Sequence, residues 1–329
     1  MKEHLFSDLG NYTPGKGLSY LGLSIVPIVK TDQEPHGYIS LRQAMKEGII
    51  TISEISQGGS VPNLKVENRG EKPVLLLAGE ELSGAKQNRI LNVTVLAPPK
   101  SELVIPVSCT EAGRWSYSSH HFEESGNVMP AFMKASIAKD VTVNLQTRNI
   151  PSSNQSKVWR DIDDLIRRKK TQSHTSAMAD AFEHRGQDIH DIFRIFSEVL
   201  EGPGSCGMYV ELDGRFLGMD LVSSPDVWKD LGEKILRSYV FDVVDRVPDS
   251  HPREHWVDTN QVFGRLKNLG VSEFTGVGLG QDLRLDSPEI SGSTLMLEGK
   301  IIYLGAYAMQ PGASGNPGYH SPRHGFRFF

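Results

Sequence analysis

The sequence predicts an α+β protein: a β-rich N-terminal part of sandwich-like sheets, with a helix-and-hairpin C-terminal part packed on it. Three observations predict this. Short apolar runs rich in Val, Ile and Leu, bounded by turn residues, recur before residue 149, as buried strands do. Two stripes of period near 3.6 follow, and then two apolar segments each fold back at a two-residue Xaa-Gly turn. The expected parts are residues 1–149, residues 150–310 packed as one unit with the first, and a flexible Gly/Pro-rich tail over 311–329.

In chain order, residues 1–13 mix charge with isolated apolar residues and carry no signal-peptide apolar region. Residues 21–29 are largely apolar; Leu41, Ala44 and Met45 then share one helix face, with Gly48 as a stop. Runs 74–78, 90–96 and 103–107 read as strands, punctuated by Gly79, Pro98-Pro99 and Glu111-Ala112-Gly113. Residues 115–129 are polar and predict a loop. Val158, Trp159, Ile162, Leu165 and Ile166 form the first helical stripe, and Ile189, Ile192, Phe193, Phe196, Val199 and Leu200 the second. Asp213-Gly214 and Glu298-Gly299 are the hairpin turns, and Ser224 with Pro225 starts a further helix. The hairpins "MYVELDGRFLGMDL" and "LMLEGKIIYLGAYA" look alike; shared turn chemistry accounts for this, with a weak internal repeat as the alternative. The tail ends in an aromatic-basic cluster whose His320 or Arg323 would suit closure over a pocket.

At 329 residues the chain can bury a sizeable core, and 38% hydrophobic with 23% charged residues is ordinary for a globular protein. A net charge of −5 argues against an extended nucleic-acid surface. The one basic run, 167–170, ends a helical pattern, where cations suit the macrodipole. Cys109 and Cys206 make neither a disulfide framework nor a CxxC pair, and no run reaches the roughly 20 apolar residues of a membrane span. The expectation is a cytoplasmic protein with no nucleic-acid or membrane partner.

The chemistry-bearing segment begins at Gly79: Gly-Glu-Glu-Leu-Ser-Gly-Ala-Lys-Gln-Asn-Arg, wedged between two apolar strands. A plain hairpin loop needs turn residues, not this set of charges and amides. Gly79 and Gly84 permit close backbone approach to a ligand. Lys86 and Arg89 suit an anionic group, and Gln87 and Asn88 supply donors and acceptors. Glu80 and Glu81 suit general acid–base work, although adjacent strand residues face opposite ways. The competing reading is a charged loop paired in solvent. About thirty residues on, Ser108 to Trp115 follows a buried-looking strand. There Glu111 is a candidate acid or base, Arg114 an anion clamp, Trp115 a stacking platform and Cys109 a ligand contact. Their bland readings are a surface ion pair, a core aromatic and a buried thiol.

His120, His121, Glu123 and Glu124 have metal-ligand chemistry, but adjacent histidines diverge on an extended chain, so no metal is assigned. Asp220, inside an apolar strand, reads either as an exposed edge or as serving a site. No GxxxxGK(S/T), GxSxG, HExxH or strand-linked GxGxxG motif is present, and no cofactor is specified. Gly276 to Gly280 reads as a flexible turn.

"LLLAGEELSGAKQNRILNVTVL", "IPVSCTEAGRW" and "GRFLGMDL" resemble a family of unknown function named for its association with ADP-ribosylglycohydrolases and rhodanese-phosphatase proteins. Gln155 with Val158-Trp159 resembles a further element of it, and the likeness runs over about residues 38–309. Its association implies NAD or ADP-ribose metabolism, or processing of a phosphorylated or ribosylated small molecule. On that reading Lys86, Arg89 and Arg114 suit a diphosphate, Trp115 a base, and Glu80, Glu81 or Glu111 ribose hydroxyls or acid–base chemistry. The expected function is an enzyme acting on a nucleotide-like or ADP-ribosylated small molecule with a glutamate as acid or base, with a non-catalytic ligand-binding or protein-interaction module as the alternative.

Overall fold

The computed structural model describes residues 1–31, 37–56, 61–247 and 251–310. The tail, with His320 and Arg323, lies outside the described residues. The α+β class and the β-rich N-terminal part hold, and the N-terminal strands go further than a sandwich. They close into a six-stranded barrel in the order Ser101–Cys109, Asn63–Asn68, Ile50–Glu54, Phe122–Val128, Glu80–Gly84 and Arg89–Leu91. The last of these pairs back with Ser101–Cys109, Arg89 opposite Cys109. A small three-stranded sheet, Val95–Ala97, Val74–Leu76 and Ile39–Ser40, adjoins it.

The second body is a ten-stranded sheet that crosses residue 149, because strands from both ends of the chain build it. One meander runs Gly17–Tyr20, Leu23–Lys30, Ser205–Leu212 and Arg215–Val222; a second runs Gly270–Thr275, Gln281–Asp286, Ile290–Leu297 and Lys300–Ala308. Their last strands pair antiparallel, Asp220 opposite Gly305. The two similar-looking hairpins lie side by side as the last hairpins of two four-stranded meanders. Both turns adopt the left-handed backbone the sequence demands, with φ of 52° and 72° at Asp213-Gly214 and 51° and 80° at Glu298-Gly299.

Alternation along the strands feeds two cores. Leu23 and Ile25 join the cluster shared with the barrel, whereas Val26 and Ile28 join the cluster under helices Lys2–Leu9 and Thr259–Lys267. Helices Ala131–Arg148 and Pro225–Val240 fill the layer between sheet and barrel. Ser224 caps the latter through Val227 N, as its sequence predicts.

Two elements depart from the sequence reading. Residues 115–129 are not all loop: Phe122–Val128 is a strand, paired with Glu80–Gly84 across a bulge. Its polarity hid it, because only Phe122 and Val128 bury apolar side chains there. Ala131–Arg148 is an 18-residue helix within the part read as mostly strands. Its inward face carries Lys134, Ser136 and Thr142, so no clean apolar stripe marks it.

Candidate ligand site at the barrel mouth

The two polar motifs meet at one end of the barrel. Thr110 N donates to Asn88 O at 3.0 Å, Gln87 Nε2 to Glu111 O at 2.7 Å, and Asn88 N to Glu111 Oε2 at 3.3 Å. Arg114 staples the seam. Its Nε donates to Glu111 Oε2 at 2.8 Å, Nη1 to Ala85 O at 2.8 Å, and Nη2 to Asn88 Oδ1 at 3.1 Å. Glu111 Oε1 accepts from Thr175 Oγ1 at 3.0 Å. Burial alone would raise the Glu111 carboxyl; the bonds and charge of Arg114 outweigh it and hold the group below its ordinary value. Gly84 is where the chain is tightest: φ is 122°, and a Cβ there would stand 2.5 Å from Ser119 Oγ. Its freedom serves a loop of the same chain.

Glu80 and Glu81 part company, as alternation requires. Glu80 is fully buried and takes Lys234 Nζ, which also donates to Glu124 Oε1 at 2.7 Å. Arg42 grips Glu124 from the other side at 3.0 and 3.1 Å. Glu81 is fully buried with neutral partners: Thr110 Oγ1 at 2.9 Å, Ser125 Oγ at 3.1 Å and Asn127 Nδ2 at 3.2 Å. Burial pushes its carboxyl up, against the pull of those three donors. Each of the three glutamates thus belongs to a different hydrogen-bond network.

Arg89 and Cys109, opposite each other in register, share one face of the wall. Arg89 is fully buried; it pairs with Glu54 at 3.4 Å and donates to Gln87 O at 3.2 Å, and its Nε has no partner among the described residues. The Cys109 thiol is pushed up to about 11 by burial, so it stays protonated at neutral pH. Its backbone is clasped by the Gln155 side chain, which accepts from Cys109 N at 2.8 Å and donates to Cys109 O at 2.9 Å. Above Arg89 stand Trp115 and Tyr117, 49% and 50% exposed. Arg89 Cζ lies 5.8 Å from the Trp115 ring; Lys86 Nζ lies 5.3 Å from that ring and 5.1 Å from that of Tyr117. The mouth therefore presents Lys86 against two half-open aromatic faces, with Arg89 buried behind the Trp115 ring.

A second polar cluster sits where the barrel meets the ten-stranded sheet. Asp220 is neither at an edge nor exposed: its strand is central and it is fully buried. It accepts from Lys134 Nζ at 3.0 Å, from Tyr239 and Tyr307 at 2.6 Å each, and from Tyr303. Burial would raise its carboxyl, but Lys134 and the three hydroxyls hold it down. Gly79 lies here, its missing Cβ 3.1 Å from the Lys134 side chain. A cavity of about 20 Å³ among Asn92, Lys134, Arg284, Tyr303 and Tyr307 has room for one water-sized molecule. Among the described residues no three His, Cys, Asp or Glu side chains converge to hold a metal ion. Glu124 is engaged by Lys234 and Arg42.

Residues 11–307 match the ARG and Rhodanese-Phosphatase-superfamily-associated Protein domain. The chain belongs to that family. No curated protein and no solved structure matches it significantly. The family match spans both bodies of the fold, so barrel, sheet and the clusters between them are parts of one domain type. No helix of the described residues is long and apolar enough to cross a membrane. Sequence reasoning missed Glu54, Tyr117, Lys134, Lys234, Tyr239, Tyr303 and Tyr307. For two of these there was a signal: Tyr303 and Tyr307 lie on the hairpin aligned with the one that carries Asp220.

Proposed function

We propose that the barrel mouth binds a small anionic molecule bearing a planar ring, of the nucleotide kind. The observation that carries this reading is the stack of Arg89, Lys86, Trp115 and Tyr117, cations within 6 Å of half-exposed rings. A ring replacing the Lys86 side chain on Trp115 gains apolar and stacking contact, about 1–3 kcal/mol for a base on an aromatic. An anionic group on the same ligand meets Lys86, while Arg89, buried and paired with Glu54, backs the Trp115 ring from inside. Glutamate acid–base chemistry finds less support. Glu80 faces Lys234, Glu81 is enclosed by neutral donors, and Glu111 is held by Arg114 and Thr175. The reading is therefore recognition, with the family's association making ADP-ribose the first candidate.

Thermal unfolding with ADP-ribose, NAD and ADP tests it. A ligand at about 100 times its dissociation constant stabilises the fold by about 2.7 kcal/mol, a shift of a few degrees. Trp115→Ala and Lys86→Ala should each weaken that ligand at least tenfold while leaving the ligand-free midpoint in place. Absence of a shift with all three, or unchanged binding in Trp115→Ala, would overturn the proposal.

A further inference from the structure

Far from the motifs, helices Gly186–Leu200 and Pro225–Val240 and the turn between residues 201 and 205 enclose a groove of about 750 Å³. That volume is in the range of small-molecule sites. Phe193, Leu200, Pro203 and Pro225 give it apolar walls, and Trp228 and Ser205 also line it. Both are almost wholly buried, 2% and 4% exposed, yet Trp228 Nε1 and Ser205 Oγ have no hydrogen-bond partner among the described residues. A buried donor left unmade costs about 1–3 kcal/mol, which an acceptor supplied from the groove would recover in part.

The local sequence leaves room beside the indole. Gly232, one turn after Trp228, is inside a helix, where glycine costs about 1 kcal/mol relative to alanine. A Cβ there would sit 3.1–3.2 Å from the indole Cε2 and Nε1, crowding the N–H edge. The rim charges are Glu201, Glu233 and Lys229, and Lys229 already pairs with Asp226 at 2.8 Å. Among the described residues that line the groove the one cation is thus paired, and the indole N–H can only donate.

We propose that this groove is a second ligand site, distinct from the barrel mouth, for a neutral, flat, largely apolar molecule carrying a hydrogen-bond acceptor. The acceptor takes the Trp228 N–H, with Ser205 Oγ as its neighbour, and the apolar body lies between Phe193 and Pro225. The proposal does not depend on the reading of the mouth.

Acetophenone and ethylbenzene, alike in shape but differing in the acceptor, are suitable probes. In the 15N-labelled full chain, titration with acetophenone should move one indole N–H signal downfield, and that signal should show NOEs to the Gly232 α-protons. Ethylbenzene should bind about tenfold more weakly and leave the N–H shift in place. Trp228→Phe should equalise the two probes. If that variant does not fold, Gly232→Ala provides the second arm: it should weaken acetophenone while keeping or raising the unfolding midpoint. Equal binding of both probes by the unmodified chain, or movement confined to the exposed indoles of Trp115 and Trp256, would overturn the proposal.

Discussion

The barrel mouth and the junction with the ten-stranded sheet are made from the same chemical stock. Lys134 Nζ lies 4.4 Å from the Tyr307 ring and 4.8 Å from that of Tyr239; Lys86 keeps 5.1 and 5.3 Å from Tyr117 and Trp115. The difference is exposure to water. At the junction the lysine side chain is 2% exposed and rests on Asp220, which in turn gathers three tyrosines from one helix and one strand. At the mouth the rings stand half in solvent. A cation sealed in with its counter-charge ties elements together, whereas rings standing half in solvent add little to the fold.

The largest expected effect breaks the junction. Asp220→Ala leaves Lys134 buried without its counter-charge and should cost about 3–5 kcal/mol in urea unfolding. Trp115→Ala should stay within about 0.5 kcal/mol, as surface changes do. Similar losses in the two variants would abolish the contrast. Asp242, at the same level of the molecule, sharpens it. Its carboxyl is pushed up to about 6 by burial, against nearby cations, and its Oδ2 has no partner among the described residues. Because the folded value lies above the unfolded one, near 4, this group supports the fold at low pH and loses that support as pH rises through about 6. Asp242→Asn should therefore gain about 2 kcal/mol at pH 8 and nothing near pH 4, a difference read from unfolding at the two pH values. At the mouth, Arg114→Ala removes the staple from Gly84, Ala85, Asn88 and Glu111 and should cost about 1–2 kcal/mol. Hydrogen exchange confined to residues 84–88 and 110–118 would locate that loss. The smallest effect concerns Cys109: with its thiol at about 11, labelling by iodoacetamide at pH 7.5 should be slow in the folded chain and rapid in urea.

Local chemistry was readable and long-range pairing was not. The hairpin turns at Asp213-Gly214 and Glu298-Gly299, the cap at Ser224 and the stripes of helices Gln155–Arg168 and Gly186–Leu200 all follow from neighbours in sequence. Helix Ala131–Arg148 and strand Phe122–Val128 were hidden because their inward residues answer to distant partners: Lys134 to Asp220, and Glu124 to Lys234. The polar motifs could be singled out as segments, but barrel closure, with Arg89 opposite Cys109, is what brings them together. Nor does residue type tell a glutamate sealed among neutral donors, as Glu81 is, from one facing a lysine, as Glu80 is.

The barrel is set between the second and third strands of the first meander. Lys30 N donates to Gly204 O at 2.9 Å, so the chain leaves the sheet and re-enters it at neighbouring points. During synthesis, strand Leu23–Lys30 must therefore wait for Ser205–Leu212 while the barrel completes its own pairings. For that interval an apolar strand destined for the middle of a sheet is without its neighbour and open to pairing with other chains. Pro27, with no N–H to give, stands in the middle of that strand opposite Met208, beside the register shift between Ser205 and Gly207. Its edge faces Gly15, whose N donates to Pro27 O at 2.8 Å, so the missing N–H lies on the side already covered, and the waiting edge is shielded only by prompt completion of the barrel.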